Sequence, residues 1–330
     1  MNERDEWNRT RHDRASSAGH YESWFMRANH PSRPLAFWIR YTIFSPIHRS
    51  EAALGELWAI SFDGEKKTIA AVKEEHPIAE CEFSRTGLAV RVAGSKLDGA
   101  SLRGSARTKS HALAWDLEYE SPQKPILLVP AKMIPRAFPK AKQTTPSPCA
   151  VYRGSLEVDG ERIAIDGWVG AQSHNWGSAH TDAYAWCQVA GFDDAPDAYF
   201  EAGTARYKFG PVRTPRLTGV VLRLDGRDHL LSSALLAVRA RATYAPFHWE
   251  LATRDRDVRI SAVLSAPASS FVALPYPNPP GGTKTCLNSK LAFCKLTVER
   301  DGSVRTLTTA NRAAFEILTD DAAPAGVVHL

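Results

Sequence analysis

The sequence predicts an all-β protein made of two antiparallel β-domains in tandem, and three observations predict it. Apolar and polar residues alternate with period two through most of the chain. Asp-Gly pairs punctuate that pattern at Asp63-Gly64, Asp98-Gly99, Asp159-Gly160, Asp225-Gly226 and Asp301-Gly302. Each lies between apolar or alternating segments, where tolerance of positive φ favours a tight hairpin turn. A proline-rich stretch near mid-chain then divides the 330 residues into halves that each suit a β-barrel or sandwich.

Taken in order, residues 1–18 are polar and read as a flexible tail; they hold no apolar run and so no secretory signal. Strand-like segments follow, among them "FWIRYTIF" (Phe37 to Phe44), "ELWAISF", "LAVRVAG" and "ALAWDLEYE". "HRSEAALGELW" from His48 predicts a short helix or turn. "VPAKMIPRAFPKAKQTTPSPCAVYRG" (Val129 to Gly154) carries five Pro and reads as a linker or crossover. The expected domains are therefore 19–140 and 141–330. In the second, "RIAIDGWVG", "TGVVLRL", "HWELAT", "RISAVLS" and "KLAFCKLTVE" continue the strand pattern. "LPYPNPPGGTK" from Leu274 reads as a long loop, and "NRAAFEIL" as a second helical candidate.

Composition narrows the function classes. A net charge of +5 with scattered basic residues gives little electrostatic basis for nucleic-acid binding. Five Cys without a CxxC pair read as buried free thiols. No apolar run approaches transmembrane length. The expectation is a soluble, cytoplasmic protein without nucleic-acid partners.

The densest chemistry lies in "GWVGAQSHNWGSAHTDAYAWCQVAGF" (Gly167 to Phe192). If the strand ahead of it alternates regularly, Asp166, Trp168, Gly170 and Gln172 share a face, continued by His174 and Trp176. Further on, Tyr184, Trp186, Gln188 and Phe192 share a face, as do Tyr199, Glu201, Gly203 and Tyr207. Near the start, His20, Glu22, Trp24 and Met26 do the same. Rings with a few polar groups fit the wall of a ligand cavity, since a solvent face would be charged and a dry core aliphatic.

Several chemistries find no support. His174 and His180, with Asp182 or Cys187, match no common zinc spacing, so no metal is expected. There is no GxSxG elbow, P-loop or GxGxxG. General acid chemistry remains. Asp166, Glu201, Glu22 and His174 fall among rings, where a carboxyl group holds its proton more tightly and can protonate an alkene while Trp and Tyr faces stabilise the cation. The opposing reading is structural: "HNWG" as a satisfied turn and the Trp side chains as barrel filling.

"GHYESWFMRANHPSRPLAFWIRYTIFSP" together with "GWVGAQSHNWGSAHTDAYAWCQVAGF" resembles the AttH-like and carotenoid 1,2-hydratase family of tandem lipocalin-like (calycin) proteins, and "TCLNSKLAFCKLTV" looks like that family's last strands. The resemblance implies two tandem lipocalin-like antiparallel β-barrels. It also implies a large apolar substrate handled without metal or cofactor, as in carotenoid hydratases, tocopherol cyclases and fungal Diels–Alderases. The block His174-Asn175-Trp176-Gly177 matches the family pattern, which makes His174, Asn175 and Trp176 pocket candidates. The family's catalytic acid has no clear counterpart in this chain.

The expected activity is binding of an isoprenoid or polyketide-like molecule, with acid-assisted hydration or cyclisation. Asp166 or Glu201 would donate the proton and His174 would assist. Trp168, Gln172, Asn175, Trp176, Tyr184, Trp186, Gln188, Glu22 and Trp24 would line or orient the ligand. The alternatives are a non-catalytic lipid carrier that collects its ligand by transient membrane contact, and an interaction protein with filled barrels.

Overall fold

A computed structural model describes residues 2–330, almost all of them in antiparallel strands or their connections. The first sheet has eleven strands: β1 (His20–Asn29), β2 (Leu35–Ser45), β3 (Leu54–Asp63), β4 (Thr68–Pro77), β5 (Cys81–Phe83), β6 (Ala89–Val92), β7 (Ser95–Asp98), β8 (Ser101–Arg107), β9 (Ala112–Glu120), β10 (Ala141–Val158) and β11 (Glu161–Gly177). Their spatial order is β4-β3-β2-β1-β11-β10-β9-β8-β7-β6-β5, so β1 pairs with β11 and the sheet curls into a barrel. The curl brings the end strand β4 back toward β8, where the Arg107 amide donates to the Glu74 carboxylate at 3.0 Å. In the second sheet β12 (Ala183–Phe192) lies between β13 (Ala195–Arg206) and the long strand Ser303–Thr319, which in turn pairs with Thr283–Arg300.

Three of the five Asp-Gly pairs make the tight turn that the sequence predicts, while Asp63-Gly64 and Asp98-Gly99 have positive φ at neither residue. Asp159-Gly160, Asp225-Gly226 and Asp301-Gly302 all have positive φ at both residues, as a two-residue turn between twisted strands requires. The proline signals misled. The first sheet runs to Gly177 rather than ending at residue 140, because β10 and β11 pair within it. Pro146 and Pro148 fit inside β10 because no strand runs along the second side of its first half, which is met there only by an isolated bridge between Thr145 and Ile126; β9 pairs with Val151–Val158 alone, and the β10–β11 register shifts around Ser147. Likewise Val272–Pro277 is a strand against Thr283–Asn288 rather than a loop. "NRAAFEIL" is strand, and "HRSEAALGELW" gives one short 3₁₀ turn before β3. The expected tail carries a helix at Glu3–Asn8, and its Asn8, Thr10 and His12 are buried.

Three layers of side chains result. One face of each sheet fills its own barrel: Trp24, Phe37, Trp115 and Trp168 in the first, Phe192, Phe200, Trp249 and Phe315 in the second. The outward faces of β1 to β4 meet those of β12 and the strands Val272–Pro277, Thr283–Arg300 and Ser303–Thr319, forming a third cluster between the barrels. None of the helices among the described residues is long and apolar enough to cross a membrane.

Gly170 of β11 sits where β1 and β10 both close in, and a Cβ there would overlap the Arg27 carbonyl oxygen. The obstruction is backbone, which cannot swing aside. Gly170→Ala is expected to destabilise by about 3 kcal/mol, read as a lower denaturant midpoint. Unchanged stability would show that β1 and β11 do not approach this closely.

Candidate functional site

The alternation expected through Asp166 breaks at Gly167. In the β10–β11 ladder Tyr152 faces Trp168 while the next residue, Arg153, faces Asp166, so Gly167 is an extra residue at φ +65°. The bulge corrects the expected site: Asp166 is exposed on the surface, and Trp168 turns into the first barrel against Phe37 and His30. An exposed Asp166 cannot act as the acid of a buried pocket. A similar shift at Gly191 sends Phe192 into the second barrel, away from Tyr184, Trp186 and Gln188.

Glu22, Trp24, Gln172, His174 and Trp176 come together at one end of the first barrel, but what they hold is the chain itself. Glu22 accepts from Thr10 Oγ1 (2.9 Å), the amides of Arg11 (2.7 Å) and His12 (2.9 Å), His20 Nε2 (3.0 Å) and His174 Nε2 (2.8 Å). His174 Nδ1 faces the Trp7 carbonyl at 2.6 Å. Both ring nitrogens thus face acceptors, Glu22 on one side and the Trp7 carbonyl on the other. The ring stacks between Trp24 and Trp176, with centroids 4.7 Å from each. Trp24 Nε1 donates to the Asn8 carbonyl, and Gln172 exchanges amide hydrogen bonds with Asn8. Residues 7–12 thus occupy the place expected for a ligand.

A second network lies between the barrels. Arg27, fully buried, donates from Nε to Gln188 Oε1 (2.9 Å) and from Nη1 to Asn29 Oδ1 (2.8 Å). Gln188 donates to Tyr199 Oη (2.8 Å), and Tyr199 donates to Glu201 Oε2 (2.6 Å). Glu201 also accepts from Thr145, Trp186 and Gln143. Burial raises its pKa against the opposing pull of these donors. The same burial lowers Arg27 to about 10.

Beside this network the outward faces leave a cavity of about 520 Å³. Phe25, Trp38 and Arg40 of β1 and β2, and Tyr184 and Trp186 of β12, form its walls, with Tyr276 and Glu316 from the second sheet. Residues 128–139 and the helix Ala234–Arg239 roof it. Of the expected ligand residues, Asn175, Tyr184 and Trp186 line this cavity, and Asn175 Oδ1 is buried without a partner. Glu316 accepts from Lys290 Nζ (2.8 Å) and Asn288 Nδ2 (2.9 Å) on Oε1, and from Tyr184 Oη (3.4 Å) on Oε2. Lys290 lies under the Trp38 and Trp186 rings. Sequence reasoning missed Trp38, Arg40, Tyr276 and Glu316. An arginine inside the aromatic strand "FWIRYTIF" was the one available signal.

No protein-family model matches the chain. It is 30% identical over 202 residues to an uncharacterised protein present in two strains of Mycobacterium tuberculosis. That match spans 61% of this chain and 59% of the relative. Among solved structures, a Nitrosomonas europaea protein described as AttH superposes with a TM-score of 0.58 at 13% identity, covering 93% of this chain and 95% of that one. Kievitone hydratase from Nectria haematococca gives 0.58 at 14% identity over 92% and 90%. CghA, solved with Sch210972, gives 0.54 at 12% over 92% and 90%. This chain has the AttH-like, tandem lipocalin-like fold. Within that fold the block His174-Asn175-Trp176 faces two ways: His174 and Trp176 hold residues 7–12, and Asn175 turns to the inter-barrel cavity.

The Glu22 cluster makes the AttH-like first barrel sensitive to acid. Burial opposes ionisation of Glu22, but hydrogen bonds from His174 and His20 outweigh it and hold the group well below the usual carboxylate range. A depressed carboxyl pKa stabilises the fold above the unfolded value, and that contribution fades as pH falls through the folded value. Glu22→Gln should therefore lower Tm at pH 7, with a cost of about 3 kcal/mol, and the gap to wild type should narrow below about pH 4. A gap that stays constant from pH 7 to pH 3 would rule out an ionised Glu22.

Proposed function

We propose that this protein binds a hydrophobic small molecule, isoprenoid or polyketide-like, in the cavity between its barrels and moves a proton on it. The cavity carries this reading. It is large enough for a compact ligand, walled by aromatic rings, and supplied with few polar groups. The first barrel's interior is filled with its own side chains, and the cavity of about 410 Å³ beside Leu287 and Ile317 of the second barrel is walled largely by charged groups, among them Asp182, Arg206, Arg213 and Arg216, which favours the aromatic seam for an apolar ligand. Similarity of fold to a hydratase, and to a protein solved with a bound small molecule, supports the same class of role.

Glu316 is the one carboxylate among the described residues that lines this cavity, and it takes over the role that the sequence assigned to Asp166 or Glu201. All of Glu201's neighbours donate to it, so its part is to fix Gln143 and Trp186 in the wall. In the hydration of an alkene conjugated to a ligand carbonyl, Glu316 takes the proton of a water whose oxygen bonds to the β carbon, the alkene's electron pair moves onto the carbonyl oxygen, and Glu316 returns the proton to the α carbon as the carbonyl re-forms. Tyr184, kept protonated by burial, turns its hydroxyl to a ligand oxygen. Cyclisation uses the same transfer within one molecule.

Native mass spectrometry with solvent extraction should find a copurifying apolar species, and adding it should quench Trp38 and Trp186 fluorescence. With that ligand, Glu316→Gln is expected to keep binding and lose turnover by at least about 100-fold. Unchanged turnover would remove Glu316 from the chemistry, and binding without turnover in wild type would make the protein a carrier. An empty cavity that quenches with no apolar compound would end the binding reading.

A further inference from the structure

The charges around the cavity do not balance, and the most deeply buried of its cations without a carboxylate is Arg40. Four charged side chains line it: Arg40, Lys132 and Lys142, which are cationic, and Glu316, which is anionic. The charge of Glu316 is met by Lys290 behind it at 2.8 Å. Burial works against the Arg40 charge, and the fields of Tyr276, Glu56 and Glu316 outweigh it and raise its pKa, yet Glu56 itself pairs with Lys73 at 2.9 Å and gives Arg40 no hydrogen bond. His180 in the same wall is held neutral, its pKa pushed down by burial and by Arg40 to about 3. Lys142 donates to the Pro139 carbonyl at 2.8 Å.

Arg40 is left over. It is 4% exposed, makes no ion pair to a carboxylate among the described residues, and has one hydrogen bond, from Nη2 to Ser23 Oγ at 2.5 Å. Its Nε is buried without a partner. The guanidinium stacks against Tyr276, 4.6 Å from the ring centroid, and lies 5.8 Å from those of Trp38 and Trp58. Ring faces offset part of the charge. They provide no acceptor for the remaining N–H groups, and a buried guanidinium is costly until such acceptors arrive. Its planar fork matches the two oxygens of a carboxylate.

We propose that the molecule bound between the barrels carries a carboxylate seated on Arg40, with its apolar body along Trp38, Trp186 and Phe25; this rests on the cavity being the ligand site. The ligand class is then a hydrophobic carboxylic acid rather than a neutral hydrocarbon or alcohol. A carboxylate on Arg40 brings the cavity's charge closer to balance, and the rings exclude the water that would weaken the contact.

Binding of an isoprenoid, a straight-chain and a polycyclic carboxylic acid, each beside its methyl ester, tests this by Trp fluorescence titration of the full chain at pH 7.5. At least one acid should bind about tenfold or more tightly than its ester, the range of a charge-assisted hydrogen-bond pair. Arg40→Met should bring that ratio to about one, and Arg40→Lys should keep part of it. If acids and esters bind equally in wild type, the carboxylate assignment is wrong while the cavity reading stands. If none of the six binds, both fall. The wild-type ratio needs no variant, so a poorly folded Arg40→Met cannot rescue the idea.

Discussion

Arg27 brings a full charge into the seam between the barrels, and the rest of the seam is arranged around it. No carboxylate touches it. Neutral oxygens of Gln188, Asn29 and the Arg312 backbone receive its N–H groups, and the nearest compensating charge, Glu201, is reached through Gln188 and Tyr199. Leaving any of these unpaired costs several kcal/mol, on the order of the whole stability of a domain. The barrels can therefore meet in one register only. Where that register places polar groups opposite each other the seam closes. Where it places rings opposite rings, beyond Trp186, it leaves the cavity.

Much of this was legible as alternation. Tyr184 with Trp186 and Gln188, and Tyr199 with Glu201, point the same way in the structure as the period-two reading predicts, toward the partner barrel. The errors came where local backbone departs from a plain strand. Gly167 inserts one residue and reverses Asp166, a change that no alternation rule detects. Pro146 and Pro148 looked like a break, yet a strand half paired on one side tolerates a missing N–H. Glu316 was hidden because "NRAAFEIL" also suits a helix, and short apolar runs do not settle that choice.

Other misses were non-local. Glu22 and His174 do form a pair among rings, as the sequence suggests for a site, but they are 152 residues apart and meet over a third segment, residues 7–12. A composition-based reading sees a polar, charged stretch there and expects a loose tail. What orders it is a buried carboxylate that collects donors from Thr10, Arg11 and His12, together with the bonds of Trp24, Gln172 and His174 to residues 7 and 8. The same donors that would make Glu22 a good binding group make it a structural anchor, and only the fold distinguishes the two.

The proposed site lies at the domain interface rather than inside a barrel. A ligand inside a lipocalin-like barrel would be enclosed by one sheet, and each domain would keep its own specificity. Here Trp24, Trp115 and Trp168 occupy the first interior, and Trp249 packs the second, whose remaining opening beside Leu287 and Ile317 is lined by charged side chains. The cavity takes Phe25, Trp38 and Arg40 from one sheet and Tyr184, Trp186 and Glu316 from the other. Cation and carboxylate thus come from different domains, and their separation is fixed by the Arg27 network rather than by any single ladder. Selection acting on ligand shape would therefore fall on the seam residues, while the barrel cores could drift as long as their volume was kept.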